Sequence, residues 1–88
     1  MKIFKYPLEV TDTQLINLPV GAKCISVQVQ NSQICLWCHV DTSQNIREAE
    51  INFYGTGHNT PDWLKMGKHL GTVQLNGYVW HIFSKDIR

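Results

Sequence analysis

The sequence predicts a mainly β domain, a small antiparallel β-barrel or a two-layer sandwich, with one short helical turn in the loop over residues 55–68. Three observations carry that prediction. Val, Ile and Thr supply 21 of the 88 residues whereas Ala appears twice, a balance that favours strands. Apolar and polar residues alternate with period two in several short stretches, as they do in strands with one wet face. No stretch offers the helical crossover of about a dozen residues that a parallel sheet needs. Eighty-eight residues make one domain, residues 1–88.

The elements follow in order. Ile3 to Tyr6 is a first strand, extending over Lys2 to Leu8 if it lies at an edge, where Pro7 is tolerated. Gln14 to Leu18 is a second short strand before Pro19-Val20-Gly21 turns the chain. In Lys23 to Gln30, Ile25, Val27 and Val29 fall on one face and Cys24, Ser26, Gln28 and Gln30 on the other. Asn31-Ser32 turns this strand into a hairpin with Gln33 to Val40. There Ile34, Leu36, Cys38 and Val40 oppose Cys35, Trp37 and His39, and two substantial faces mark a central strand or one that meets a partner. Asp41 to Ile46 is a polar surface turn. Arg47 to Tyr54 then alternates Ala49, Ile51 and Phe53 against Glu48, Glu50 and Asn52. In the long loop, Thr60 is the expected cap and Pro61 the first residue of a helical turn through Met66, which Gly67 ends. His69 to Leu75 and Tyr78 to Phe83 form a last hairpin about Asn76-Gly77.

Composition narrows the function classes. With 43% hydrophobic and 17% charged residues the chain is not disordered. Eight Lys and Arg against seven Asp and Glu leave a formal charge of +1 and no basic tract, so nucleic acid is not the expected partner. No apolar run approaches the ~20 residues of a membrane helix, and Met1 to Pro7 lacks the apolar segment of a signal peptide. With an odd set of cysteines, Cys24, Cys35 and Cys38, this points to reduced thiols and a cytoplasmic protein. Cys35 and Cys38 have zinc-knuckle spacing, but a strand sends them to opposite faces, so no metal or cofactor is expected. Cys35 with His39, or His39 with His81 across a sheet, remain as geometric pairings. No paired carboxylates or activated nucleophile stand out, so no catalytic residue is expected.

The candidate ligand or partner loop is Gly55, Thr56, Gly57, His58 and Asn59, where two glycines permit either a tight turn or a nest of N–H groups facing an anion. Lys65 and Lys68 are its candidate basic contacts. Trp37, Tyr54, Trp63, Tyr78, Trp80 and His81 are the candidate interface or pocket residues, since aromatics fill small cores and also dominate interfaces. So small a sheet leaves open edges, and a homodimer or higher homo-oligomer is expected.

Seven segments look familiar together: Lys5-Tyr6-Pro7-Leu8, Leu18-Pro19-x-Gly21-Ala22, Ser26-Val27-Gln28-Val29-Gln30, Leu36-Trp37, Tyr54-Gly55-Thr56-Gly57-His58, Leu70-Gly71-Thr72-Val73 and Val79-Trp80-His81-Ile82-Phe83. The chain resembles, over nearly its whole length, a family of small proteins encoded by bacteriophages and prophages, for which no activity is established. The resemblance transfers no catalytic residue, cofactor or ligand. It implies an accessory binding protein in the cytoplasm of an infected bacterial cell, inhibiting or modulating a host or defence protein. A protein that sequesters a small nucleotide signal through the 55–60 loop is the alternative, and a virion or assembly component a third.

Overall fold

Seven strands form in chain order: β1 (Lys2–Leu8), β2 (Thr13–Pro19), β3 (Lys23–Gln30), β4 (Gln33–Val40), β5 (Ile46–Gly55), β6 (Lys68–Leu75) and β7 (Tyr78–Ser84). A 3-10 turn, Asp62–Lys65, interrupts the loop before β6. The computed structural model describes residues 1–88. All strand pairings are antiparallel, in a three-stranded sheet of order β1-β4-β3 and a four-stranded sheet of order β2-β5-β7-β6. The molecule is a two-layer sandwich. The barrel alternative is corrected, because no strand pairing joins the two sheets and the β1 and β2 edges stay open.

β4 is central, as its two apolar faces require. Its inward side chains Ile34, Leu36, Cys38 and Val40 are buried in one cluster with Ala49, Ile51 and Phe53 of β5 and Ile82 of β7. Pro7 sits in β1, an edge strand, where its missing N–H costs no ladder bond. No helix is long and apolar enough to cross a membrane.

Both expected hairpins form. Asn31 and Ser32 have φ of 53° and 62°, and Asn76 and Gly77 have 53° and 83°, the positive pairs of two-residue hairpin turns. Ser32 is the strained member, since a left-handed backbone disfavours a Cβ. Ser32→Gly is therefore expected to raise stability by up to about 1 kcal/mol, read from the urea midpoint at constant slope.

Three expectations are corrected. A β-bulge at Ile25, between the Cys24–Cys38 and Ser26–Trp37 pairs, breaks the alternation of β3. An extra residue reverses the facing of what precedes it, so Cys24 turns inward with Val27 and Ile25 turns outward. The helical turn begins at Asp62 rather than Pro61, which is extended at φ −72° and ψ 158° and carries no side-chain cap. Thr60 is thereby one residue too early to reach the first free N–H groups. Third, the chain does not end structurally at Phe83. β7 runs to Ser84, and the tail folds over one end of the sandwich to bury Ile87 in the core.

Burial pushes the Cys38 thiol up to about 12, with Cys24 beside it adding to the effect. In the unfolded chain this thiol ionises near its ordinary value of about 8.5. Between those values the unfolded state has lost a proton that the folded state keeps, so stability falls as pH rises and is unaffected below that range. The wild type is expected to lose more stability than Cys38→Ala between pH 7 and pH 10 in parallel urea titrations.

Candidate functional site

The Gly55–Asn59 loop closes on itself. The His58 N–H donates to the Gly55 carbonyl at 3.1 Å, and the Gly55 N–H donates to His58 Nδ1 at 3.1 Å. Gly57 has φ +87°, and a Cβ on Gly55 would lie 2.6 Å from His58 Cε1. Both glycines are thus needed by the turn. With Nδ1 accepting, a neutral His58 carries its proton on Nε2. Gly55, Thr56 and His58 line an open groove of about 250 Å³ with Gly77, Tyr78, Val79 and Trp80. The Tyr78 and Trp80 rings are 6.0 Å apart and inclined by 31°. Asn59, Lys65 and Lys68 are not among its lining residues.

Tyr54, Trp63 and His81 belong to the outer side of the four-stranded sheet. Thr56 Oγ1 meets His81 Nε2 at 2.8 Å, His81 Nδ1 meets Thr72 Oγ1 at 3.1 Å, and Thr72 Oγ1 meets His69 Nε2 at 2.9 Å. The rings of His69 and Tyr54 pack on Phe83 at 5.0 and 6.2 Å. Burial raises the Tyr54 hydroxyl, and the Glu50 and Asp12 carboxylates add to it. Trp63 stands against Gly67, with Lys85 Nζ 5.6 Å from its ring centroid. His69, Thr72 and Phe83 escaped the sequence reading. Residues 69 and 72 share a face only because of the irregularity between His69 and Gly71, and a glycine inside a strand pattern is the signal that marks such a bulge.

The outer side of the three-stranded sheet is a different surface. Its cross-strand rows are Ile3–His39–Lys23, Lys5–Trp37–Ser26 and Pro7–Cys35–Gln28. Ile3, Ile25, Ser26, Gln28 and Trp37 line an open hollow of about 200 Å³, and Ile3 and Ile25 are 62% and 52% exposed. Lys5 Nζ donates to Gln30 Oε1 at 2.9 Å, reaching over Cys35, which is buried on this side. The three strands carry no Asp or Glu, and of their lysines Lys5 and Lys23 stand on this side, whereas Lys2 pairs with the inward-facing Val40. Ile3 and Ile25 also escaped the sequence reading; the alternation of β1 points Ile3 to the side of Lys5, whereas nothing in the pattern marked the bulge at Ile25.

The sequence-derived aromatics therefore do not form one site. Trp37 is on this outer side, while Trp80 leans inward on Phe53 at 6.2 Å. Cys35 and Cys38 do face opposite ways, Cys38 alone joining the core. The two remaining metal pairings are corrected. His39 and His81 lie on opposite outer sides of the sandwich, and Cys35 and His39 are four residues, about 13 Å, apart along β4.

A further hollow of about 300 Å³ lies where the tail meets the Val20–Ala22 turn, lined also by Arg47, Lys85, Asp86 and Arg88. Its charges are largely used internally. Arg47 donates to the Asp86 carbonyl, the Glu50 N–H donates to Asp86 Oδ2 at 2.8 Å, and Lys85 lies 3.7 Å from Glu50.

Fold and surfaces together define a small two-layer antiparallel sandwich with one outer side carrying the 55–68 loop and the other bare. A family model described as a domain of unknown function, DUF7352, matches residues 1–88, and the chain belongs to that family. No curated protein and no solved structure matches it.

Proposed function

We propose that this chain is a small accessory binding protein, without catalysis of its own, that inhibits or modulates a bacterial host or defence protein from within the cytoplasm. The observation that carries the reading is the hollow walled by Ile3, Ile25 and Trp37 on a sheet face that no other part of the chain covers. Exposed apolar groups around an aromatic anchor are the usual centre of a protein interface. The motif resemblance supplies the phage setting. Self-association belongs at the β2 edge, where Leu15 is exposed, because Pro7 and two lysines blunt β1 against strand addition.

A nucleotide-sequestering role at the 55–60 loop is the second reading, favoured by the Tyr78 and Trp80 rings in the groove. No Lys or Arg lines that groove to meet a phosphate. Native mass spectrometry of protein purified gently from bacteria separates the two. The proposal expects a retained protein mass that Trp37→Ala releases and Trp80→Ala keeps. A retained mass of nucleotide size that only Trp80→Ala releases favours the second reading, and large closed rings of bare subunits favour an assembly role.

A further inference from the structure

We infer that the partner engages the three-stranded sheet through an acidic segment carrying one bulky apolar side chain, an inference that rests on the binding role proposed above. The charge distribution is the first argument. All seven acidic residues of the chain lie outside β1, β3 and β4, whereas Lys5 and Lys23 lie on the outer side of those strands. Lys5 stands opposite Trp37, with its ammonium on Gln30 Oε1, and Lys23 stands opposite His39 in the row of Ile3, so one lysine sits in each of the two cross-strand rows that supply Trp37 and Ile3 to the hollow. A carboxylate-bearing segment finds complementary charge in the rows of an apolar socket, and such charge sets partner choice and encounter rate.

The size of the hollow is the second argument. About 200 Å³, open to solvent and walled by two isoleucines and an indole, accepts one large side chain rather than a broad flat surface. Two other occupants fit less well. A second copy docked symmetrically through the same side would bring a face that holds lysines and no carboxylate against itself, with no opposite charge to pair them. Single-stranded nucleic acid needs successive aromatic platforms for its bases, and Trp37 is the one aromatic among the hollow's walls.

A library of random linear peptides displayed on yeast, selected against the full chain, tests this. The expected peptides place Asp or Glu around a single Trp, Phe, Leu or Met. Their affinity should fall by about tenfold or more in Trp37→Ala, in Ile25→Ser and in the Lys5→Gln, Lys23→Gln double variant, and should weaken as salt rises from low to high. Thermal unfolding of each variant shows that it is folded; Ile25→Ser, on an exposed bulge, serves if Trp37→Ala is not. Peptides that need Trp37 and Ile25 but are neutral, and indifferent to the lysine changes, overturn the acidic chemistry and leave the binding face standing. Peptides indifferent to Trp37 and Ile25, or no peptides at all, overturn both. Lysine-dependent binding of oligo-dT, or a dimer that loses affinity for itself in Ile25→Ser, also overturns the inference.

Discussion

Ile87→Ala is expected to destabilise the protein by about 2–5 kcal/mol, the range for truncating a fully buried aliphatic side chain. Ile87 is four residues beyond the last strand position that alternation suggests, yet it is 2% exposed. Backbone and side-chain bonds hold it there. Ser84 Oγ donates to the Glu50 carbonyl at 2.7 Å and accepts from the Asp86 N–H at 3.0 Å. Asp86 takes the Glu50 N–H, and the Cys24 N–H donates to the Arg88 carbonyl at 2.7 Å. The tail thus ties β3 to β5 across the end of the sandwich, and Ile87 closes the core beneath it. A domain of this size loses about 4–8 °C of Tm per kcal/mol, so the variant should melt on the order of 10 °C lower or more. Lys85→Ala, which removes only a surface ion pair and a cation–π contact, is the control and should cost under about 1 kcal/mol. Equal effects from the two variants would mean the tail is frayed in solution.

Gly71→Val is expected to destabilise by about 1–3 kcal/mol for a different reason. Strands β3 and β6 bring the two sheets together here without pairing, and a Cβ on Gly71 would sit 3.0 Å from Val27 Cβ. Val27 is buried, so its Cβ moves only if its strand moves. Overpacking at this seam pushes β3 from β6, against the Cys24 Sγ contact with the Leu70 carbonyl at 3.8 Å. Adding Val27→Ala opens space and should restore part of the loss, a coupling that a double-mutant cycle measures. Purely additive effects would place the cost in strand propensity and not in the seam.

The strands were legible because local chemistry determines them. The alternation in β4, the Asn-Gly turn and the edge proline of β1 each reflect an interaction within a few residues. The sheet partition was not, because pairing of β2 with β5 and of β1 with β4 is long-range and leaves no mark on periodicity. Bulges were the main source of error. One extra residue at Ile25 moved an isoleucine from the expected core to the surface and a cysteine the other way, and the irregularity beside Gly71 brought His69 and Thr72 together. The Gly55–His58 turn was legible as a turn, and its two glycines are explained by φ and by the His58 ring. The bare face was half legible: Trp37 pointed to it, whereas Ile3 and the absence of acids acquire meaning only once β1, β4 and β3 lie side by side.

The central claim is that the outer side of the three-stranded sheet is where this protein meets another. Site-specific photo-crosslinking in bacterial cells tests it most directly, with a photoreactive residue replacing Ile25 or, on the other outer side, Asn17. The account predicts a discrete crosslinked partner protein from position 25, lost when Trp37→Ala is added, and from position 17, on the β2 edge, none but a second copy of the chain. Crosslinks from position 17 alone, or from 25 only to a second copy of the chain, would contradict it.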